Sequence, residues 1–234
     1  METSIFNILL KKLHLKLFIL SFVFFTIVGC NQSKISDNGN YQLYNVVFDK
    51  SIGKPGMWRK KAKGSLLWLT NSIKTKEDSL KNNNLLKWID STNKVIDTAN
   101  LYVLIEDTLI SKIPIGAPFE MTFQNNQLLK KDTTFIPILK SLLRTDNKIE
   151  VIDKSKIKPK ENYELVDNQY NSRNEFKEVG TLSFSKISYN NTKDKACVYT
   201  SLICGQLCGH GTIFFLEKIK GNWTILDYNE LWIS

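Results

Sequence analysis

The residues best equipped for chemistry lie near the C-terminus: Cys197, Cys204, Cys208 and His210. Cys204 and Cys208 bracket a glycine-rich stretch, Cys204-Gly205-Gln206-Leu207-Cys208-Gly209-His210-Gly211. Glycine tolerates backbone angles that side chains forbid, so the stretch reads as a tight connection that folds back on itself. Folding back brings the two cysteines towards disulfide distance, and a Cys204–Cys208 bond is the first expectation. A metal site is the second reading, but C-x3-C-x-H fits the paired-ligand grammar of structural zinc only loosely, and no metal ligand is assigned. A Cys208–His210 nucleophile pair is the third. Residues two apart share a face on an extended chain, yet catalysis also needs a lowered thiol pKa and an orienting group. The C-x3-C spacing is one residue longer than the C-x-x-C of dithiol redox sites. His210 stays as a candidate functional residue because the other histidine, His14, lies in the N-terminal leader. There is no G-x-G-x-x-G, Walker loop, H-E-x-x-H or G-x-S-x-G, so no catalytic residue is assigned and no cofactor is expected.

The fourth cysteine, Cys30, sits in a different context. Lys11, Lys12 and Lys16 precede an apolar run from Leu17 to Val28, which ends Ile27-Val28-Gly29-Cys30 before the polar Asn31-Gln32-Ser33-Lys34. About a dozen apolar residues are too few to span ~30 Å of hydrocarbon comfortably, and a basic flank with a short core fits an export signal. The run resembles a bacterial lipobox, in which small residues precede a cysteine that is acylated and becomes the new N-terminus. That resemblance implies a signal peptide over 1–29, lipidation at Cys30, and attachment to a membrane through the lipid. Two or more acyl chains hold a protein stably where one does not. An aspartate after the cysteine would resemble inner-membrane retention; Asn31 points instead to the outer membrane, on its periplasmic side.

Charge and composition narrow the partners. The 234 residues carry a formal charge of +9, with 42% apolar and 24% charged residues, values of a folded chain. Nearly all the positive charge is lysine, with Arg59, Arg144 and Arg173 the three arginines. A nucleic-acid binder would concentrate arginine in a stripe, so no nucleic-acid partner is expected. A protein or small-molecule ligand stays unspecified.

These residues need a scaffold. Residues 30–40 read as a flexible polar tether, and 41–234 as one α+β domain with helices mainly in the N-terminal half. Tyr41, Tyr44, Val47 and Phe48 recur at helical spacing, and Gly53-Lys54-Pro55-Gly56 breaks the chain. Residues 57–70 join Arg59-Lys60-Lys61-Ala62-Lys63 to Leu66-Leu67-Trp68-Leu69; the preferred reading is a solvated turn feeding a buried element, and the other is a membrane-surface segment. Residues 77–90 look helical, with Leu80, Leu85, Leu86 and Ile89 as the apolar stripe. Leu101–Ile105 reads as a buried strand, Phe135, Ile138, Leu139 and Leu142 as one helix face, and 149–153 as another strand. From 180 to 234 alternating strands, with a Lys220-Gly221-Asn222 hairpin signal, predict an antiparallel β-meander. Trp58, Trp68, Trp88, Trp223 and Trp232 are read as core and rim packing rather than a sugar platform. Glu106-Asp107 and Glu161/Glu164 are read as solvated strand ends and turns.

Within this meander the segment ACVYTSLICGQLCGHGTIFFLEKIKGNWTILDYNELWIS carries CGxLCGxG, a Leu-Glu-Lys strand, Gly-x-Trp and a terminal Trp-x-Ser. It is similar to the C-terminal module of a group of uncharacterised proteins from Bacteroidetes-type bacteria, several of them lipoproteins. The resemblance covers about a quarter of the chain. It implies an envelope location and a shared fold, and no activity. The expected function is therefore a lipid-anchored envelope protein acting as a non-enzymatic binding module. The alternatives are an envelope hydrolase built from dispersed Asp, Glu, Ser and Thr, and a thiol or metal site at Cys204/Cys208.

Overall fold

The computed structural model describes residues 34–35, 38–73, 79–115, 123–144, 148–167 and 177–234. The signal peptide expected over 1–29, Cys30 and Asn31 lie outside the described residues. Lys34–Ser234 forms one compact unit by backbone contacts. A short β1 (Lys34–Ile35) precedes α1 (Asn38–Ile52), so the helix begins three residues before the expected end of the tether. The anticipated spacing holds in α1: Tyr41, Tyr44, Val47 and Phe48 are all buried. After the break at Gly53 and Lys54, Pro55 opens α2 (Pro55–Ile73), a position where its missing N–H costs nothing.

Here the solvated-turn expectation fails. Residues 57–70 are helical throughout, and of Leu66, Leu67 and Trp68 only Leu66 is buried. The return helix α3 (Ser79–Thr98) lies antiparallel to α2. Arg59 Nη2 donates to the Ala99 carbonyl at 3.1 Å, and Lys63 Nζ meets Asp97 at 2.7 Å. Of the stripe expected at 77–90, Leu85 and Ile89 are half-buried and Leu86 is exposed, while Ile96, beyond that range, is buried.

The rest of the chain builds a mixed sheet. β2 (Leu101–Ile105) is followed by α4 (Gln127–Lys131), α5 (Phe135–Leu142), β3 (Glu150–Val151), a 3-10 turn (Lys154–Lys156) and β4 (Tyr163–Val166). Then come β5 (Glu178–Phe184), β6 (Ser188–Tyr189), β7 (Lys195–Gly205), β8 (Cys208–Ile219) and β9 (Asn222–Ile233). The sheet order is β4-β2-β5-β7-β8-β9, with β6 beside β7. From β5 onward every pairing is antiparallel, as the meander predicts, while β2 pairs parallel to both β4 and β5. β1 pairs separately with β3.

Period two sorts β7 and β8 onto two faces, and both are covered. On one, Leu43, Tyr44, Val47 and Phe48 of α1 pack against Val103, Leu182, Phe184, Val198 and Phe214. On the other, Phe135, Ile138 and Leu139 of α5 pack against Cys197, Tyr199, Ile213 and Phe215. Double coverage explains why these strands are apolar on both faces. Each large side chain buried this way contributes roughly 1.5–3 kcal/mol relative to exposure. Two polar contacts lie inside: the Ser51 and Thr200 hydroxyls are 2.9 Å apart, and Tyr44 donates to the Ser185 carbonyl at 3.1 Å. The β5 backbone presses so close to β7 that a Cβ on Gly180 would sit 2.3 Å from the Ile203 carbonyl oxygen. With φ at +140°, only glycine fits there.

Candidate functional site

β7 and β8 are joined by the predicted glycine-rich turn. The ladder slips between Ile203 and Gly205, so Cys204 drops out of register and Gly205 faces Cys208. This slip lets Cys204 and Cys208 close a disulfide across the turn, with Cα atoms 5.0 Å apart. Of the three readings of this pair, the geometry selects the disulfide. Sulfurs bonded to each other are neither thiolate ligands nor a nucleophile, so the C-x3-C-x-H trio and the Cys208–His210 pair lose their reactive atoms.

His210 lies two residues beyond the bond, half-buried, opposite Leu202 on one side and Ile233 on the other. Cys197 sits on the same strand as Cys204 but is fully buried against α5. Burial pushes its thiol well above the ordinary range, so it is protonated and inert at neutral pH. The three C-terminal cysteines therefore do not converge. Among the described residues no group of three or more His, Cys, Asp or Glu side chains is placed to hold a metal ion.

The glycines that follow the disulfide have a packing role that sequence reading missed. A Cβ on Gly211 would lie 2.1 Å from Nε1 of Trp232 and 2.5 Å from the Tyr199 hydroxyl. One on Gly209 would meet the Leu202 carbonyl at 3.0 Å and the Trp232 ring at 3.1 Å. The empty space lets the Trp232 indole lie across β8 and donate to the Tyr199 hydroxyl at 2.9 Å. Ser234 then closes the strand, its N–H donating to the Gly209 carbonyl at 2.9 Å. The signal was in the sequence as two separate features, CGxLCGxG and the terminal Trp-x-Ser. They are two halves of one packing arrangement.

Around the tip the surface is apolar and basic. Leu207, inside the disulfide loop, is 90% exposed, and Ile203 and Ile233 are exposed beside it. Lys61 of α2 reaches the tip, its ammonium 2.9 Å from Cys208 Sγ and 5.2 Å from the centre of the Trp58 ring. Trp58 is itself fixed by donating to the Ile52 carbonyl at 2.7 Å. Trp58, Lys61, Ser65, Leu101, Glu178 and Cys204 line an open cleft of about 210 Å³ here. A groove of about 510 Å³ beside α2 and α3 is lined by Arg59, Lys60, Lys63, Leu67 and Asp97. A third cleft, of about 170 Å³, gathers Ser111, Ser141, Arg144, Ser185, Lys186 and Ser188. Each of these clefts holds at most one carboxylate, so none offers a pair of carboxylates as acid and base.

The tryptophans divide. Trp223 is buried, Trp58 and Trp232 are half-buried, Trp88 is partly exposed, and Trp68, 73% exposed, stands out into solvent, which corrects the packing role expected for it. Among the carboxylate pairs, Asp107 lies exposed just beyond β2, a strand end as expected, and meets the largely buried Lys154 side chain at 2.5 Å, a partner the sequence did not indicate. No family model, curated protein or solved structure matches the chain.

Proposed function

We propose that this chain is a lipid-anchored protein of the bacterial cell envelope, held through Cys30 and serving as a binding or interaction module. The observation that carries the reading is the Cys204–Cys208 bond. Disulfides persist in oxidising compartments and are rare in the cytosol, so the bond supports export. Export in turn gives the basic and apolar leader ending at Cys30 its purpose. Among the described residues no helix is long and apolar enough to cross a membrane, so attachment in this reading falls to the acylated cysteine. The binding role is supported by Ile203, Leu207 and Ile233, three apolar side chains exposed around the disulfide-closed turn. Asn31 after the anchor favours the outer membrane, periplasmic side.

The test is metabolic labelling with a clickable fatty acid in a bacterial host. Wild-type protein is expected to take up label and to fractionate with membranes. Cys30→Ala is expected to lose both properties. Label retained by Cys30→Ala, or absent from the wild type, contradicts the anchor.

A further inference from the structure

Helix α2 exposes large apolar side chains. Leu67 is 64% and Trp68 73% exposed, and Met57 is also in solvent. Met57, Lys61 and Trp68 fall at i, i+4 and i+11 on α2, one face of the helix, away from buried Leu66. The charge on this helix has one sign. Arg59, Lys60, Lys61 and Lys63 lie on α2, which has no Asp or Glu.

We infer that α2 docks on an anionic lipid surface, seating Met57, Leu67 and Trp68 among the headgroups. Three features of the chain favour a bilayer as the occupant. An indole on a lysine-bearing helix face suits the headgroup region, where one end of the ring is apolar and the other wet. A run of basic residues without acidic ones complements anionic headgroups, at close range and weakened by salt. The third is reach. Four residue steps lead from Cys30 to Lys34, the first residue of the compact unit, which pairs with Glu150 of β3. That tether spans about 14 Å at full extension, so a chain anchored at Cys30 keeps its folded unit beside the bilayer. Tethering makes the second contact intramolecular, and a weak affinity then suffices. Docking deepens the envelope reading, since its reach argument rests on the Cys30 anchor.

The assay omits that anchor, so the two ideas fail separately. A chain from Asn31 to Ser234 contains the whole compact unit. It is mixed with vesicles of phosphatidylcholine alone or with phosphatidylglycerol. Sedimentation with the anionic vesicles, a blue shift of tryptophan emission and weakening by salt are expected. The double variant Leu67→Ser/Trp68→Ser is expected to lose about tenfold or more of the partitioning while its thermal unfolding is unchanged. Equal partitioning of the double variant overturns the inference, as does no sedimentation of the wild type. A lipid-free dimer that the same two substitutions disperse also overturns it, because the occupant is then a second copy. Failure of fatty-acid labelling at Cys30 removes the reach argument and leaves vesicle binding to be read on its own.

Discussion

Gly211→Ala is a one-carbon change with a large expected effect. The new methyl falls 2.1 Å from Trp232 Nε1 and 2.5 Å from the Tyr199 hydroxyl, and Tyr199 is fully buried. Trp232 is the side chain with room to leave. Forcing extra volume into such a contact costs about 1–3 kcal/mol. Loss of the 2.9 Å Trp232–Tyr199 hydrogen bond adds about 1 kcal/mol. A total near 3 kcal/mol lowers the melting temperature of a domain this size by roughly 6–12 °C. Urea and thermal unfolding of Gly211→Ala, Trp232→Ala and the double variant measure it as a cycle. Trp232→Ala alone is expected to cost about 2 kcal/mol for a half-buried indole. With the indole gone, the Tyr199 hydroxyl, 2.5 Å from the new methyl, has vacated space to shift into, so the double variant is expected to sit near Trp232→Ala. The coupling is then about 3 kcal/mol in magnitude, well above the ~0.5 kcal/mol within which independent sites add. Additive costs would refute the claim that the motif glycine exists to admit Trp232.

Other expectations follow from the same coordinates. Replacing Cys204 and Cys208 by serine, at a sequence separation of 4, is expected to cost about 2 kcal/mol by the loop-entropy estimate, read as a lower melting temperature. Unfolding without reductant should release one reactive thiol from a chain beginning at Asn31, that of Cys197, and none should react in the native state. Two additional thiols in that titration would contradict the disulfide. Lys195 and Asp132 form a half-buried ion pair, and their direct hydrogen bond holds the Asp132 carboxyl below its usual range. Its contribution is therefore full above the unfolded carboxylate value near 3.9 and is lost as pH falls through the lower folded value. Asp132→Asn is expected to flatten the acid side of the stability–pH curve below about pH 4, as followed by circular dichroism. An unchanged acid slope would count against the pair. Ser51→Ala is expected to cost about 1–2 kcal/mol, because the Thr200 hydroxyl is left buried without its partner at 2.9 Å.

What could be read from the sequence depended on how local the physics was. Phe135, Ile138, Leu139 and Leu142 repeat at the helical period, and α5 buries those four. Tyr41, Tyr44, Val47 and Phe48 behave the same way. Cys204 and Cys208 lie within one turn, so their bond needed no long-range contact to foresee. The parallel pairing of β2 with β4 and β5 was not foreseen, since a parallel partner is chosen by topology and leaves no turn signal. Nor was the Gly211–Trp232 fit, where residues far apart in sequence become neighbours only after β8 and β9 pair. Residues 57–70 were misread because basic residues beside an apolar run describe a solvated turn and an exposed amphipathic helix equally well. Exposure of Trp68, which tertiary packing decides, separates the two. His210 is a candidate by residue type alone, and the structure places it half-buried on a paired strand with the apolar Leu202 and Ile233 as its neighbours across the ladder.

Attachment is the claim on which the envelope reading stands. Mass spectrometry of the N-terminal peptide from the membrane fraction addresses it directly. The account predicts a peptide that begins at Cys30 and carries acyl chains. A peptide beginning at Met1, unacylated and recovered from the cytosol, would contradict it.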